Sequence, residues 1–278
     1  MSLLHALILG IVQGLTEFFP ISSSGHLSLV PWLFDWNDFS DPSVGTAFDA
    51  SLHLGTLVAV VVAVRRELTA LVSGGVRYAF GTASQRAANV QGRLAWLYVL
   101  TAVPAAVVGV LFDEAIADQL GGPLTVAVSL IGFGLVLWWA DRHAGARTAE
   151  HLTTRDAVLI GAAQVLALNP GTSRSGITIS TMRLLGYERA AAVRMSFVIG
   201  VPIIAGAGIW QVVGLFMDGV PEGMLAALAV GVGSAALTGW LAINALQRLA
   251  QRGNFNIFVV YRIALGVAVL GLVASGLR

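Results

Sequence analysis

LAWLYVLTAVPAAVVGVLF, residues 94–112, is nineteen residues without a charged side chain. As a helix it would be about 28 Å long, close to the roughly 30 Å hydrocarbon core of a bilayer. It has no polar face to turn toward water, which a helix on the surface of a soluble bundle needs. PLTVAVSLIGFGLVLWWA at 123–140 reads the same way, and further apolar runs at 46–64, 192–216, 224–246 and 255–277 are long enough to cross. The whole chain agrees: 56% of its 278 residues are hydrophobic, 11% are charged, and the mean hydropathy is +0.81. This composition predicts a polytopic helical membrane protein with six transmembrane helices and excludes a soluble core of ordinary size.

Other classes fall away on composition. The chain has no cysteine, so disulfides, thiolate catalysis and thiolate metal sites are out. Its net charge of +1 gives no reason to expect a nucleic-acid partner. The N-terminal apolar run has no basic flank and no small-residue cleavage site, and is expected to belong to the fold.

Two apolar stretches, 3–19 and 157–168, are interrupted by polar loops: QGLTEFFPISSSGH at 13–26 and NPGTSRSGIT at 169–178. Laid over each other, the two regions match at Gly10 and Gly161, Gln13 and Gln164, Ser22 and Ser173, Ser24 and Ser175, and Gly25 and Gly176. The chain is expected to be built twice, from residues 1–145 and 146–278, each half a re-entrant helical hairpin followed by three spans. Charge supports this. Arg65, Arg66, Arg77, Arg86 and Arg93 follow the first span, and Arg142, Arg147, Arg155, Arg183 and Arg189 lie between the third and fourth; Arg248 and Arg252 follow the fifth. The other connections carry Asp35, Asp38 and Asp41, then Asp113, Glu114 and Asp118, then Asp218 and Glu222. Basic segments face the cytoplasm, so the acidic ones and both termini face outside. The alternation holds only if each broken stretch returns to its own side. Three spans invert the second half, giving an inverted-topology repeat whose hairpins meet near the midplane with helix N-termini aimed at an anion. Residues 82–93 read as a cytoplasmic loop with an interfacial helix before it.

Ionisable groups at that depth need a reason. Gln13 and Glu17 share a helical face, one turn apart. They suit a hard divalent cation, or Glu17 a base; interhelical hydrogen bonding is the plainer account. Ser22, Ser23, Ser24 and His26 sit where a helix restarts. One hydroxyl is expected as an N-cap, and Ser or His as a phosphoryl-accepting nucleophile. Arg174, between Ser173 and Ser175 and near Gly171 and Gly176, suits phosphate oxygens, with an ion pair to Glu17 as the alternative. A diphosphate brings about three negative charges, Arg174 offsets one and Glu17 adds one, so a divalent cation is expected. Asp49 and His53 share a face of the first span, as partners of the site or as simple helix contacts, and Gln164 is placed in the same outer role. Arg194, Gln211, Asn244 and Arg262 read as snorkelling residues.

QGLTE, PISSSGH, FDASLHLGTL (48–57) and PGTSRSGIT (170–178) together resemble the bacterial undecaprenyl-diphosphate phosphatases of the bacitracin-resistance type, over nearly the whole chain. The resemblance implies an enzyme of the bacterial inner (plasma) membrane that removes the terminal phosphate of a polyprenyl diphosphate carrier lipid, using Mg2+ or Ca2+, with its site open to the outer face. It implies Glu17 as the essential carboxylate and Gln13 as its lesser partner. Ser23 and His26 would be the nucleophile and proton-transfer pair in either order. Arg174 with Ser173 would be the phosphate clamp, and Thr178 would close the second loop. Ser22, Ser24, Gly171 and Ser175 join the expected phosphate-binding set. Inverted repeats with broken helices are also transporter architecture, so a polyprenyl-phosphate flippase is the alternative; an ion channel fits worse, because the polar residues form one spot and no path. The sequence is compatible with a homodimer and does not fix the oligomeric state.

Overall fold

A computed structural model describes residues 1–38, 42–219 and 223–277. Among them every regular element is helical: α1 (Leu3–Phe18), α2 (Ser23–Phe34), α3 (Pro42–Phe80), α4 (Ala83–Ala88), α5 (Val90–Leu120), α6 (Pro123–Asp141), α7 (Thr154–Val165), α8 (Arg174–Leu184), α9 (Arg189–Asp218), α10 (Met224–Arg252) and α11 (Asn256–Ala274). Six of these, α3, α5, α6, α9, α10 and α11, are long and apolar enough to cross a membrane. They coincide with the six runs expected from sequence. By contrast α1 and α7, with 16 and 12 residues, fall short of the roughly 20 a crossing requires.

α3 leaves helical geometry at Val64 (φ −110°, ψ 18°), where the apolar run gives way to Arg65 and Arg66, and then continues as a further helical stretch to Phe80. The loop expected at 82–93 contains a short helix, α4. Thr82 and Gln85 make it through a reciprocal capping box: the Gln85 amide N–H donates to Thr82 Oγ1 at 3.4 Å and the Thr82 N–H to Gln85 Oε1 at 2.8 Å. Of the acidic positions read as outer, Asp41 and Glu222 lie outside the described residues, as do the side chains of Asp113, Glu114, Asp118 and Asp218, together with that of Gln211.

Lipid is as apolar as leucine, so helices here associate through close packing of small residues more than through the hydrophobic effect. α1 lies against α10 by this means. A Cβ on Gly10 would stand 2.3 Å from the Gly231 carbonyl oxygen, and one on Gly14 would stand 2.6 Å from that of Ala235. The matching glycine of the second half does the same work: Gly161 of α7 leaves room for the Thr101 carbonyl, 2.9 Å from its would-be Cβ, and for Pro104 of α5. Each short helix is thus packed on a span of the opposite half. Replacing Gly14 with Leu forces backbone apart, at a cost of about 1–3 kcal/mol or more. It should lower the thermal midpoint of the purified protein in detergent by several degrees, whereas Gly233→Leu, with nothing within 4 Å of its would-be Cβ, should leave it unchanged.

The start of α1 and the segment after α2 meet. The Ser2 N–H donates to Asp38 Oδ1 at 3.3 Å, His5 Nδ1 lies 2.7 Å from Asp38 Oδ2, and the His5 ring stacks on Trp36. The segment before α7 and the segment after α8 meet likewise, through Arg147 N–H to Gly186 O and Glu188 N–H to Arg147 O, both 3.0 Å. Buried acids fasten that rim. Asp156 accepts from Arg147 at 2.5 Å and from Tyr187 at 2.9 Å, and Asp141 accepts from Arg189 at 2.7 Å and from the Phe255 amide at 3.0 Å.

Candidate active site where the two polar loops meet

The loops between α1 and α2 and between α7 and α8 enter their second helices through the same conformation. Ser22 (φ 76°, ψ 99°) and Ser173 (φ 77°, ψ 114°) both hold positive φ, a region costing about 1–3 kcal/mol for a non-glycine residue. A glycine would sit there without strain but would lose the caps. Ser22 Oγ accepts from the Gly25 amide at 3.4 Å, and Ser173 Oγ from the Gly176 amide at 3.1 Å. Each strained serine starts the next helix and aims its N-terminus at the junction.

The loops also bond to each other. The Gly171 amide donates to Ser22 Oγ at 3.0 Å, and Ser175 Oγ donates to the Phe19 carbonyl at 3.1 Å. Beside this contact lies a cavity of about 160 Å³ lined by Glu17, Ser22, Ser23, Ser24, Ser173 and Arg174, with His53 of α3 and the apolar Ala167, Ile203 and Ile204.

Glu17 is its centre. Its Oε1 accepts from Arg174 Nη2 at 2.9 Å, and its Oε2 accepts from Ser23 Oγ at 2.7 Å and from Gln13 Nε2 at 3.2 Å. His53 Nε2 stands 3.7 Å from Oε2, while His53 Nδ1 is 3.1 Å from the Asp49 carbonyl oxygen. The carboxylate, 7% exposed, is therefore held by groups from α1, α2, α3 and α8. Arg174 also donates to the Ser196 carbonyl at 3.1 Å and lies flat against Gly200, where any Cβ would stand 2.2 Å from Nη1. The ion pair set against phosphate binding at Arg174 is present, in the cavity itself.

The remaining expected residues divide. Ser24 joins the lining, 3.4 Å from Ser22 Oγ. Gly171, Ser175 and Thr178 stand behind it and shape it. Thr178 Oγ1 is 2.8 Å from Ser196 Oγ and donates to the Arg174 carbonyl at 2.9 Å, and Ser175 Oγ is 3.1 Å from Ser173 Oγ. His26 is turned away from the cavity: Nδ1 lies 2.6 Å from the Ser22 carbonyl oxygen and Nε2 lies 2.7 Å from Tyr261 Oη. The Asp49 carboxyl is not in the lining, so His53 reaches Glu17 and Asp49 touches the site only through its backbone. Gln164 is not in the lining and donates to the Thr101 carbonyl at 2.6 Å, joining α7 to α5.

The snorkelling reading of Arg262 is corrected outright. Arg262 is fully buried and reaches both loops. Arg194 does lie at the surface, paired with Glu67 at 2.6 Å. Ser196, Gly200 and Tyr261 also carry the site without any signal in the sequence.

The sequence model of the bacitracin resistance protein BacA family matches residues 6–268. The chain belongs to this family. Among curated relatives, an undecaprenyl-diphosphatase of Geobacter metallireducens is 43% identical over 272 residues, covering 97% of this chain and 98% of the relative. One of Desulforudis audaxviator is 46% identical over 267 residues, covering 96% of each. One of Thermomicrobium roseum is 42% identical over 282 residues, covering 99% of each. The family match takes in both loops, the first five long apolar helices and α11 as far as residue 268.

Proposed function

We propose that this chain is an integral-membrane phosphatase that hydrolyses undecaprenyl diphosphate to the monophosphate and inorganic phosphate, returning the carrier lipid to cell-wall synthesis and conferring bacitracin resistance. The observation that carries the reading is Glu17, which holds a serine hydroxyl and an arginine side by side in one polar cavity between helix N-termini. The flippase reading is set aside, because a nucleophile bonded to a base is superfluous to transport.

The roles follow from the contacts. Arg174 binds the phosphate oxygens, with Ser24 and Ser173 as further donors. Glu17 takes the proton of Ser23, whose Oγ attacks the terminal phosphorus; the P–O bond to the lipid monophosphate breaks, and water then releases phosphate from the serine. His26 holds the loop. Its Nδ1 must carry the proton, because the Ser22 carbonyl can only accept. Ile203, Ile204 and Ala167 give the cavity an apolar wall suited to the first prenyl units.

A divalent cation, Mg2+ or Ca2+, fits beside Glu17. Gln13 Oε1 is buried without a hydrogen-bond partner, one turn from the carboxylate, and oxygen donors of this kind suit hard cations. Glu17 and Gln13 would hold it, and substrate oxygens would complete its shell; when bound it neutralises charge on the diphosphate. Chelator is expected to reduce phosphate release at least about tenfold, and Gln13→Ala to raise the cation concentration needed for half-maximal rate by a similar factor.

The arrangement in the membrane is part of the proposal: inverted repeats 1–145 and 146–278, each opening with a re-entrant hairpin, in the bacterial inner membrane with termini and site facing outside. The contacts at Asp38 and Arg147 support it, since they return each hairpin to its starting level, as does the shared backbone of Ser22 and Ser173. The deciding experiment is phosphate release from a detergent-soluble polyprenyl diphosphate by purified protein, with Glu17→Ala and Arg174→Ala as controls. Release by wild type alone supports the reading; none from folded wild type overturns it.

A further inference from the structure

Arg262 is the eighth residue of the last apolar run, 0% exposed, and all of its polar reach is spent on main-chain carbonyls. Its Nε donates to Leu130 O at 3.0 Å. Nη1 donates to Pro20 O at 3.0 Å and Thr172 O at 3.1 Å, and Nη2 to Gly171 O at 2.8 Å, Thr172 O at 3.1 Å and Ser129 O at 3.3 Å. Pro20 belongs to the first polar loop, Gly171 and Thr172 to the second, and Ser129 and Leu130 to α6. One guanidinium therefore joins both loop tips and a transmembrane helix.

Among the described ion pairs none involves Arg262, so carbonyl dipoles alone compensate its charge. Such a group is costly in hydrocarbon and persists for a reason. It reaches the site closely: a Cβ on Gly176 would meet Ser173 Oγ at 3.2 Å and Arg262 Nη1 at 3.3 Å. The preceding residue, Tyr261, bonds to His26, so adjacent residues of α11 brace the first loop from two directions.

We propose that Arg262 is the positioning residue of the reaction: its planar fork sets the first loop, with Glu17 before it and Ser23 after it, in register with the second, which carries Arg174. The inference rests on the phosphatase reading. Near-attack geometry tolerates little misplacement, and an error of about 1 Å costs on the order of a hundredfold in rate. Lysine keeps the charge but is a point donor without the fork, so it cannot hold three segments at once.

The test uses purified full-length protein and a soluble polyprenyl diphosphate. Wild-type release is measured first; its absence would defeat the phosphatase reading rather than this one. With wild type active, monodisperse Arg262→Lys and Arg262→Met should lose about a hundredfold in kcat with KM changed less than about threefold. The chain has no cysteine, so a spin label on Ser24→Cys reports only the start of α2, which the first loop carries, and it should become more mobile in both variants. Should the Arg262 variants fail to fold, Gly134 offers a route that keeps the arginine. A Cβ there meets Arg262 Cβ at 3.4 Å and Nε at 3.6 Å, so Gly134→Ala should be silent, and Gly134→Val, whose methyls press on the arginine stem, should lower kcat about tenfold. Folded Arg262→Met within about threefold of wild type, full activity in Arg262→Lys, an unmoved label, or a fully active Gly134→Val would each overturn the proposal.

Discussion

Glu17→Gln will cut phosphate release by at least about a thousandfold while leaving the protein folded, a loss of about 4 kcal/mol in transition-state stabilisation. Glutamine keeps the shape, and its Oε1 can still accept from Arg174, which stands 2.9 Å from Glu17 Oε1, but the amide nitrogen that then faces Ser23 Oγ can only donate to it. What it removes is the negative charge, and with it the base for the Ser23 proton, the anionic ligand for a cation, and the ion pair that preorganises Arg174. The buried guanidinium keeps the Ser196 carbonyl, so the mutant retains part of its compensation. Because Glu17 and Arg174 act as a unit, the double variant Glu17→Gln/Arg174→Gln should be scarcely slower than either single one. Steady-state rates on the four proteins of that cycle check this. Independent, multiplying effects would mean the two residues serve separate steps.

The sequence carries the six spans and the two loops because both are local signals. Nineteen uncharged residues at 94–112 need no partner to be read as a span, and serines, glycines and an arginine at bilayer depth mark a site whatever surrounds them. Matching Ser22 with Ser173 likewise survives into the structure, where both hold the same positive φ and cap the same way. What stays hidden depends on distant packing. His26 reads as facing the substrate until Tyr261, 235 residues away, takes its Nε2. Arg262 reads as a snorkelling residue because its register in α11 places it about two turns from the span's edge; only the fold shows that Pro20, 242 residues earlier, lies under its guanidinium. Asp49 and His53 share a face by spacing, yet the imidazole alone reaches Glu17. Gln13 and Gln164 match in sequence, but Gln13 donates to Glu17 and Gln164 to a carbonyl of α5, so the same amide serves a site in one half and a helix contact in the other.

Ser23→Ala should abolish turnover, by about 10⁴-fold or more, whereas His26→Asn should retain at least about a tenth of the rate. The asymmetry comes from geometry. Ser23 Oγ lines the cavity with its O–H donated to the Glu17 carboxylate at 2.7 Å, whereas the described partners of the other lining hydroxyls, Ser22, Ser24 and Ser173, include no carboxylate. His26 would need to break two hydrogen bonds, at 2.6 and 2.7 Å, and swing around the Ser22 turn to reach the same phosphorus. Its Nδ1–H instead ties down the carbonyl of a strained residue, a task that the amide of asparagine can partly assume and that alanine cannot, so His26→Ala should fall well below His26→Asn. Trapping with substrate labelled in the terminal phosphate separates the two nucleophiles chemically. A phosphoserine survives acid and a phosphohistidine does not, so acid-stable label lost in Ser23→Ala assigns the attack to the hydroxyl. Acid-labile label that persists in Ser23→Ala would move the nucleophile to an imidazole, either His53 in the lining or His26 in a state of the loops in which it has left Tyr261.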